Sequence, residues 1–232
     1  MIPSITDSLD PTTERALIEW IEARARAGEP AHARGYQGAV YLYEHDGRRL
    51  IVKAATGSGA RGWLRRWMLR REYQTYQRLK GFAGSPACHG LIRGRYLVLD
   101  YIDAVPVRLE QITDPRTFFD TLFAHIKELH RRGVAHADLK RRDNLLVIDG
   151  RLPCLIDFGA AIVAKPGFAP INRRLYRLAQ RFDFNAWAKL KYNGRVDQMT
   201  AEDRVYYHFT AIERIARTIK RSYLKLKRRI AG

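Results

Sequence analysis

Cysteine, acidic residues and long apolar runs are all scarce in this chain. Its two cysteines, Cys88 and Cys154, are too few for a disulfide framework, which indicates a protein of a reducing compartment. Residues 1–15 have neither a basic start nor an apolar run, so the sequence predicts no signal peptide. No apolar stretch has the length of a membrane span. We therefore expect a soluble, cytoplasmic protein.

The shortage of acidic residues leaves the chain strongly basic. It has 24 Asp and Glu against 42 Lys and Arg, a formal net charge of +18. Such an excess attracts nucleic acids, anionic lipid surfaces or phosphate-rich substrates, and it does not distinguish among them. The 232 residues are 46% hydrophobic. This is enough to bury one core, or two lobes around a cleft.

A hairpin between residues 145 and 156 organises the chemistry of the sequence. Two short apolar segments, 145–148 and 152–156, are joined by Asp149-Gly150, which is a strong signal for a tight hairpin turn. Such a hairpin brings Asn144, before its first strand, close to Asp157, after its second. Oxygen ligands gathered in this way suit Mg²⁺. A surface hairpin with solvated acids at its ends is the alternative.

The residues around this hairpin resemble two motifs of the protein-kinase-like fold. His136-Ala137-Asp138-Leu139-Lys140, followed by Asn144, is similar to the catalytic loop, and Asp157-Phe158-Gly159 is similar to the metal-binding triplet. By this resemblance Asp138 accepts the proton of the attacking hydroxyl, and Lys140 lies beside the transferred phosphoryl group. Asn144 and Asp157 hold Mg²⁺, and His136 is a structural residue that braces the loop.

One spacing departs from the family pattern. Asn144 lies six residues after Asp138, whereas the family pattern has five. Since the spacing from Asn144 to Asp157 fits, the extra residue falls within 141–143. Asp143 is therefore a further candidate for the metal role.

Glycines in the N-terminal part resemble the loop that covers the nucleotide. Gly35 and Gly38 stand three residues apart before an apparent strand that begins at Val40, while Ala33 occupies the place of the family's first glycine. Glycines at a hairpin tip let backbone N–H groups approach phosphate oxygens. Gly35, Gly38 and Val40 are thus candidates for nucleotide binding. An ordinary turn explains the same residues.

A lysine in the third predicted strand needs a charged partner. Lys53 lies among apolar neighbours and resembles the lysine that holds the α- and β-phosphates. Glu72 is the acidic residue of a predicted helix over 65–80, and it stands 19 residues after Lys53, as in the family's ion pair. The alternative pairs Glu72 with arginines of its own helix. We expect residues 56–63, before this helix, to form a glycine-rich loop.

Five further elements follow from the sequence pattern. A helix begins at Asp10-Pro11, and two strands lie between residues 88 and 103. The resemblance places the hinge that holds the adenine near Asp100, Tyr101 and Ile102. Helices are predicted over 115–132 and 170–192 from their apolar stripes. In the second of these, Asp183 either braces the catalytic loop or is a solvated acid.

The resemblance covers roughly residues 31–190 and implies an α+β, two-lobed protein-kinase-like fold. It has a small antiparallel-sheet N-terminal lobe (1–103, with the first helix) and a reduced, mainly helical C-terminal lobe (104–232). No Ala-Pro-Glu signature follows Gly159, and Ala137 stands where phospho-regulated protein kinases carry Arg. With these departures the chain resembles two branches of the fold. One is the lipopolysaccharide inner-core kinases, which phosphorylate Kdo or heptose, and the other is the RIO-type atypical kinases.

The last predicted helix begins at Thr200, in a capping box, and runs towards Arg229. Its apolar stripe lies beside many Lys and Arg residues, as in helices that bind anionic membrane surfaces. The alternative is a packing helix with a cationic solvent face.

The sequence thus predicts a phosphotransferase that uses ATP and Mg²⁺. The preferred acceptor is a sugar hydroxyl of an anionic glycolipid such as lipopolysaccharide inner core, with the protein located peripherally at the inner membrane. A RIO-like Ser/Thr protein kinase is the second hypothesis, supported by Lys140. A non-catalytic nucleotide-binding adaptor, touching RNA through its basic face, is the third.

Overall fold

The computed structural model describes residues 9–27, 33–35, 38–45 and 47–208, and within these ranges the chain is α+β. The helices are α1 (Pro11–Ala27), α2 (Gly59–Arg78), α3 (Pro115–Arg131), α4 (Pro170–Lys191) and α5 (Ala201–Arg204). The strands are β1 (Ala33–Gly35), β2 (Gly38–His45), β3 (Arg48–Ala54), β4 (Cys88–Ile92), β5 (Tyr96–Asp100), β6 (Val105–Pro106), β7 (Val134–Ala135), β8 (Leu145–Ile148), β9 (Leu152–Leu155) and β10 (Ile162–Val163).

The first five strands form one antiparallel sheet in the order β1-β2-β3-β5-β4. Alternation along β5 sends side chains to both faces, because successive residues of a strand point in opposite directions. Tyr96 and Val98 join a core with α1, whereas Leu97 and Leu99 join a second core with α2 and the helices α3 and α4. The sheet is therefore covered on both faces. The arrangement is compatible with a two-lobed fold.

Helix α1 begins where the sequence predicts. The Asp10 carboxylate accepts hydrogen bonds from the backbone N–H groups of Thr12 (3.1 Å) and Thr13 (2.9 Å), which caps the helix ahead of Pro11. The apolar face of the helix, with Leu17 fully buried, packs on the outer face of the sheet. This helix covers the sheet away from the residues discussed below.

Helix α2 begins six residues earlier than predicted, so the loop expected over 56–63 is wrong from Gly59 onward. Ser58 occupies the N-cap position, and Gly62 is buried in the first turns. A Cβ atom on Gly62 would clash with the carbonyl group of Gly57. The glycine therefore serves a close approach of the helix to the preceding backbone, and not a flexible loop.

The helices α3 and α4 pack side by side, as their predicted apolar stripes require. Asp114 caps α3 by accepting from the backbone N–H of Thr117 at 3.1 Å. The buried indole of Trp187 in α4 donates to the carbonyl oxygen of Phe119 at 3.0 Å. Together with β7–β10, this pair of helices forms the mainly helical part of the described chain.

The helix predicted from Thr200 to Arg229 begins where expected but does not continue past Arg204. Thr200 caps α5 as expected, accepting from the Asp203 N–H at 3.3 Å, but α5 ends at Arg204. The Asn185 side chain accepts from the N–H of His208 (2.9 Å) and donates to its carbonyl oxygen (2.6 Å). The backbone N–H and carbonyl groups of His208 thus bond to a side chain and not to other residues of a helix. Residues 209–229, with the basic stripe, lie outside the described residues.

None of the helices within the described ranges combines the length and the apolar composition needed to cross a bilayer.

Candidate active site

A cleft of about 770 Å³ opens between the five-stranded sheet and the helical part. Its walls come from β2, β3 and β5, from the segment after β5, and from residues 138–160. The predicted site residues that line it are Gly38, Val40, Lys53, Asp100, Ile102, Asp138, Asn144 and Asp157. Glu72 lies behind Lys53, and the exposed Lys140 is outside the lining. Gly35 is the last residue of β1 and pairs with Gly38 of β2.

Lys53 joins two elements that are far apart in sequence. Its Nζ atom lies 2.6 Å from Oε1 of Glu72, on α2, and 3.0 Å from Oδ1 of Asp157. The alternative partner Arg65 instead donates to the carbonyl oxygen of Thr56. The pairing of Lys53 with Glu72 is therefore formed, and it connects β3, α2 and the segment after β9 at one ammonium group.

Electrostatics favour the charged forms of Lys53 and Asp157. Burial alone would lower the pKa of Lys53, but the Glu72 and Asp157 carboxylates outweigh it and raise that pKa above its ordinary value. For Asp157, burial acts to raise the pKa, and the nearby Lys53 ammonium brings it below the ordinary value. Burial raises the pKa of Glu72, and Lys53 offsets part of that rise. Lys53 is therefore cationic at neutral pH.

Asp157 adopts a backbone conformation that non-glycine residues rarely use. Its φ and ψ are 63° and 70°, in the left-handed region. The following residue, Phe158, is buried with its ring against Tyr76 of α2 (centroids 5.1 Å apart) and His136 (4.8 Å). The aromatic contacts hold the strained turn and aim the Asp157 carboxylate at the cleft.

The hairpin brings Asn144 next to the Asp157 segment, as predicted. The strands β8 and β9 pair in register from Leu145↔Leu155 to Ile148↔Leu152, and the N–H of Ile156 donates to the carbonyl oxygen of Asn144 at 3.0 Å. The turn residues Asp149 and Gly150 both have positive φ, which is the tight turn that Asp-Gly favours.

Asp138 and Asn144 are in contact despite the longer spacing between them. Asn144 Nδ2 donates to the Asp138 backbone oxygen at 3.1 Å and lies 3.3 Å from Asp138 Oδ2. The intervening residues form a short 3₁₀ turn, Arg142–Asn144. That turn accommodates the extra residue, and it also places Asp143 in the cleft lining.

The loop that carries Asp138 is braced by Asp183, a residue that sequence reasoning left undecided. The fully buried Asp183 carboxylate accepts from the backbone N–H groups of His136 and Ala137, each at 2.8 Å, and lies 3.0 Å from His130 Nε2. Asp183 shares a buried face of α4 with Ala179 and Trp187. Its position as an acid on the apolar face of an amphipathic helix is the signal that could have decided between bracing and solvation.

Replacing Asp183 with Asn should destabilise the protein and distort the loop. A carboxamide has one oxygen, so one side of it would present N–H groups to the N–H donors that the carboxylate now accepts. We expect the free energy of unfolding to fall by about 2–3 kcal/mol, measured by urea denaturation. Asp103→Asn, at a highly exposed carboxylate, is the matched control. Equal stability of the two variants would contradict the bracing role.

His136 is structural, in agreement with its predicted role. Its ring Nε2 lies 2.9 Å from the carbonyl oxygen of Ile156, and the residue is fully buried. This contact ties the loop before Asp138 to the strand end before Asp157. The His136 side chain therefore helps to hold Asp138 and Asp157 relative to each other.

Two backbone N–H groups of the predicted hinge are already used within the fold. The N–H of Asp100 donates to the Ala87 carbonyl oxygen (2.9 Å), and that of Tyr101 donates to the Arg49 carbonyl oxygen (3.2 Å). The Asp100 side chain lies 2.6 Å from His89 Nε2. Both N–H groups thus serve the fold, which leaves Ile102 as the predicted hinge residue best placed in the lining to meet a base.

The oxygen donors of the cleft fit Mg²⁺. In the described part of the chain, no group of three or more His, Cys, Asp and Glu side chains is placed to hold a metal. Mg²⁺ needs only one or two protein carboxylates when substrate phosphates and water complete its coordination. Asp157 and Asn144, with Asp143 nearby, supply that kind of incomplete oxygen set.

Gly38 has a steric reason to be glycine. Its φ is +138°, and a Cβ atom there would clash with the carbonyl oxygen of Ala54 on β3. We expect Gly38→Ala to lower the free energy of unfolding by more than the about 1 kcal/mol of a strained φ alone. Gly47→Ala is the control, because Gly47 also has positive φ (+73°) but open space around it. Equal urea midpoints for both variants would contradict this prediction.

The comparisons with known proteins point in the same general direction as the cleft. No family model matches the chain. A serine/threonine-protein kinase D of Synechocystis sp. is 37% identical over 71 residues, which cover 28% of this chain and 14% of that protein. The chain thus spans a small part of the relative's length. The similarity supports a protein-kinase-like relationship over that segment.

Proposed function

We propose that this protein is a kinase-type phosphotransferase that transfers the γ-phosphate of ATP to a hydroxyl group. The proposal includes a two-lobed protein-kinase-like fold, with lobes over 1–103 and 104–232 and the cleft between them. It is supported by the partial similarity to a serine/threonine kinase and by the chemistry of the cleft.

The observation that carries the proposal is the position of Lys53. Its ammonium group bridges Glu72 and Asp157 at the wall of a cleft that also exposes Asp138 and Asn144. A buried Lys held by two carboxylates remains charged, so it can neutralise phosphate oxygens without needing reorientation. A buried charged group with perturbed pKa that lines a cleft beside Asp138 and Asn144 is the kind of arrangement found at functional sites.

The chain's own residues divide the work of transfer. Lys53 contacts phosphate oxygens and offsets negative charge as the γ-phosphoryl group moves in line to the acceptor. Asp138 orients the acceptor hydroxyl and takes its proton, and Asn144 holds the Asp138 carboxylate in place. Asn144 and Asp157 would hold Mg²⁺, which supplies charge neutralisation at the phosphates when bound. Lys140, exposed beside the loop, would approach the phosphoryl group only with substrate present.

The preferred acceptor is a sugar hydroxyl on an anionic glycolipid, such as Kdo or heptose of lipopolysaccharide inner core. The net charge of +18 favours an anionic acceptor. The exposed arginines of α2 and α4 favour it too. The small number of helices after the cleft in the described chain leaves little platform for a folded protein substrate.

A Ser/Thr side chain is the second candidate acceptor. Its support is the 37% identity with a serine/threonine kinase over 71 residues. The two candidate acceptors are different molecules, an anionic glycolipid and a protein, so one labelling assay can distinguish them.

The test is transfer from γ-labelled ATP by the full chain, with purified lipopolysaccharide core and a generic protein mixture as parallel acceptors. Label should enter one acceptor with the wild type and be lost with Asp157→Asn. Asp197→Asn, at an exposed carboxylate outside the cleft, should match the wild type. ATP binding without turnover in wild type and both variants would overturn the proposal in favour of a nucleotide-binding adaptor.

A further inference from the structure

The outer face of α2 exposes large apolar side chains. Trp63 is 62% exposed, Leu64 47% and Trp67 45%, although most tryptophans of folded proteins are largely covered. At 100° per residue, Trp63 and Trp67 lie on one side of the helix, flanked by the exposed Arg70 and Arg71. These five residues are called the α2 outer face below.

The charge of this helix is one-sided. Six arginines lie in α2, and its acidic residue, Glu72, is buried on the opposite side against Lys53. The α2 outer face therefore carries positive charge with no acidic neighbour on its own helix. The guanidinium of Arg71 lies 4.9 Å from the centre of the Trp67 ring. Both side chains are exposed, so this pair presents an aromatic ring and a positive charge together to solvent.

We propose that the α2 outer face docks on an anionic lipid bilayer. Tryptophan prefers the boundary between headgroups and acyl chains, where its ring is buried and its N–H stays hydrated. The flanking arginines would meet lipid phosphates, and each basic group near an anionic membrane strengthens binding. Apolar residues at the centre of a basic helix face are the pattern of interfacial binding.

The shape of the face favours a bilayer over a nucleic acid. Single-stranded nucleic acids bind in grooves where bases stack on flat aromatic platforms. Trp63, Leu64 and Trp67 project from a convex helix, and Leu64 offers no ring for stacking. A soft, planar lipid surface accepts such a convex, mixed aromatic and aliphatic wedge.

Docking through α2 would place the cleft one helix width, about 10 Å, from the membrane surface. Met68 and Tyr76, on the inner side of the same helix, line the cleft. A hydroxyl on a lipid headgroup would then be held near the cleft by the membrane itself. The docking does not depend on the proposed phosphotransfer, because it can be measured without nucleotide.

The experiment is vesicle co-sedimentation of the full chain with pure phosphatidylcholine and with mixed phosphatidylcholine–phosphatidylglycerol vesicles. Wild type should bind the anionic vesicles and not the neutral ones. Trp63→Ala/Trp67→Ala should weaken partitioning by at least about tenfold, because the buried aromatic area is lost. Arg70→Gln/Arg71→Gln should weaken it by about fivefold per charge.

Two matched controls distinguish binding by the α2 outer face from nonspecific binding through any exposed positive charge or apolar side chain. Phe168→Ala removes an apolar side chain that is 93% exposed elsewhere, and Arg116→Gln removes an exposed charge on α3. Both should bind vesicles as the wild type does. Binding by the double tryptophan variant equal to the wild type would overturn the proposal.

Two other results would also overturn it. One is loss of single-stranded RNA binding in the tryptophan variant when the wild type does not bind vesicles. The other is a wild-type dimer in sedimentation that the same variant dissociates, since the face would then contact a second copy. Circular dichroism of each variant confirms that α2 is folded. Failure of vesicle binding leaves the ATP assay unaffected, so the two proposals are tested apart.

Discussion

Asp138→Asn is expected to reduce phosphoryl transfer by about 10²–10⁴-fold while leaving nucleotide affinity and thermal stability close to those of the wild type. Asparagine keeps the size of the side chain and an oxygen near Asn144 Nδ2, which is 3.3 Å from Asp138 Oδ2. It cannot take the proton of an attacking hydroxyl. Single-turnover transfer from labelled ATP, alongside a nucleotide-binding titration, measures the two effects separately.

The longer spacing in this loop makes Asp143 the informative comparison. Asp143 lines the same cleft from the 3₁₀ turn before Asn144. We expect Asp143→Asn to reduce transfer by much less than Asp138→Asn, and Asp149→Asn, at the hairpin turn, to have no effect. A larger loss with Asp143→Asn would assign the proton-accepting role to Asp143 and contradict the role given to Asp138.

Lys53→Met is expected to lower the free energy of unfolding at pH 7 by about 3–5 kcal/mol, the largest stability change among these variants. Glu72 has no solvent exposure, so without Lys53 its carboxylate would be a buried charge with no cation beside it. Asp157, which is 41% exposed, can turn to solvent and adds less to the cost.

The pH dependence of this loss has a definite sign. Burial raises the pKa of Glu72 above its ordinary value, and removal of Lys53 takes away the charge that opposes this rise. In the variant, the Glu72 carboxyl therefore keeps its proton to a higher pH in the folded state than in the unfolded state. The stability difference from the wild type should be small below the unfolded pKa and grow as pH rises through the folded pKa. Urea denaturation across this range tests it.

A double variant tests whether the cost comes from the unpaired carboxylate. Lys53→Met/Glu72→Leu removes both charges, so it should recover much of the stability lost in Lys53→Met. Lys165→Met, at an exposed lysine, controls for the loss of a surface charge. If the double variant is less stable than Lys53→Met, the buried carboxylate is not the source of the loss.

Local chemistry predicted the elements around the cleft well. Asp149-Gly150 can adopt the paired positive φ angles that a two-residue hairpin needs, and the strands on either side formed where expected. Asp10 and Asp114 cap helices because their carboxylates satisfy free N–H groups within three residues. These signals depend on neighbours in sequence. These turns and caps therefore form independently of contacts with distant parts of the chain.

Features decided by distant partners were not predictable in the same way. The chain leaves the helical conformation after α5 because Asn185, 23 residues earlier, binds both backbone groups of His208. Glycine at position 62 reads as a loop signal, and only the close approach to Gly57 shows that it belongs to a helix. At the predicted hinge, the backbone N–H groups of Asp100 and Tyr101 donate to the carbonyl oxygens of Ala87 and Arg49, which are contacts that the sequence does not indicate.

The convergence of Lys53 on Glu72 and Asp157 is an intermediate case. The spacing of the kinase-like motifs predicted that Glu72 and Asp157 are the partners of Lys53. Composition and periodicity alone would not show that Glu72, among the arginines of α2, is the residue that faces β3. Sequence could not reveal the burial of Glu72 or the left-handed backbone of Asp157. Both depend on how α2 and Phe158 pack in three dimensions.

The contacts of Asp183 set an order for the maturation of the protein. The N–H groups of His136 and Ala137 are satisfied by a carboxylate 46 or 47 positions further along the chain. During synthesis, the segment around Asp138 must wait with its amide groups hydrated until the helix carrying Asp183 has left the ribosome and docked. The loop that carries Asp138 thus cannot take its final shape before α4 docks, and a nascent chain that stops short of this helix would carry the residues of the cleft without the contact that braces them.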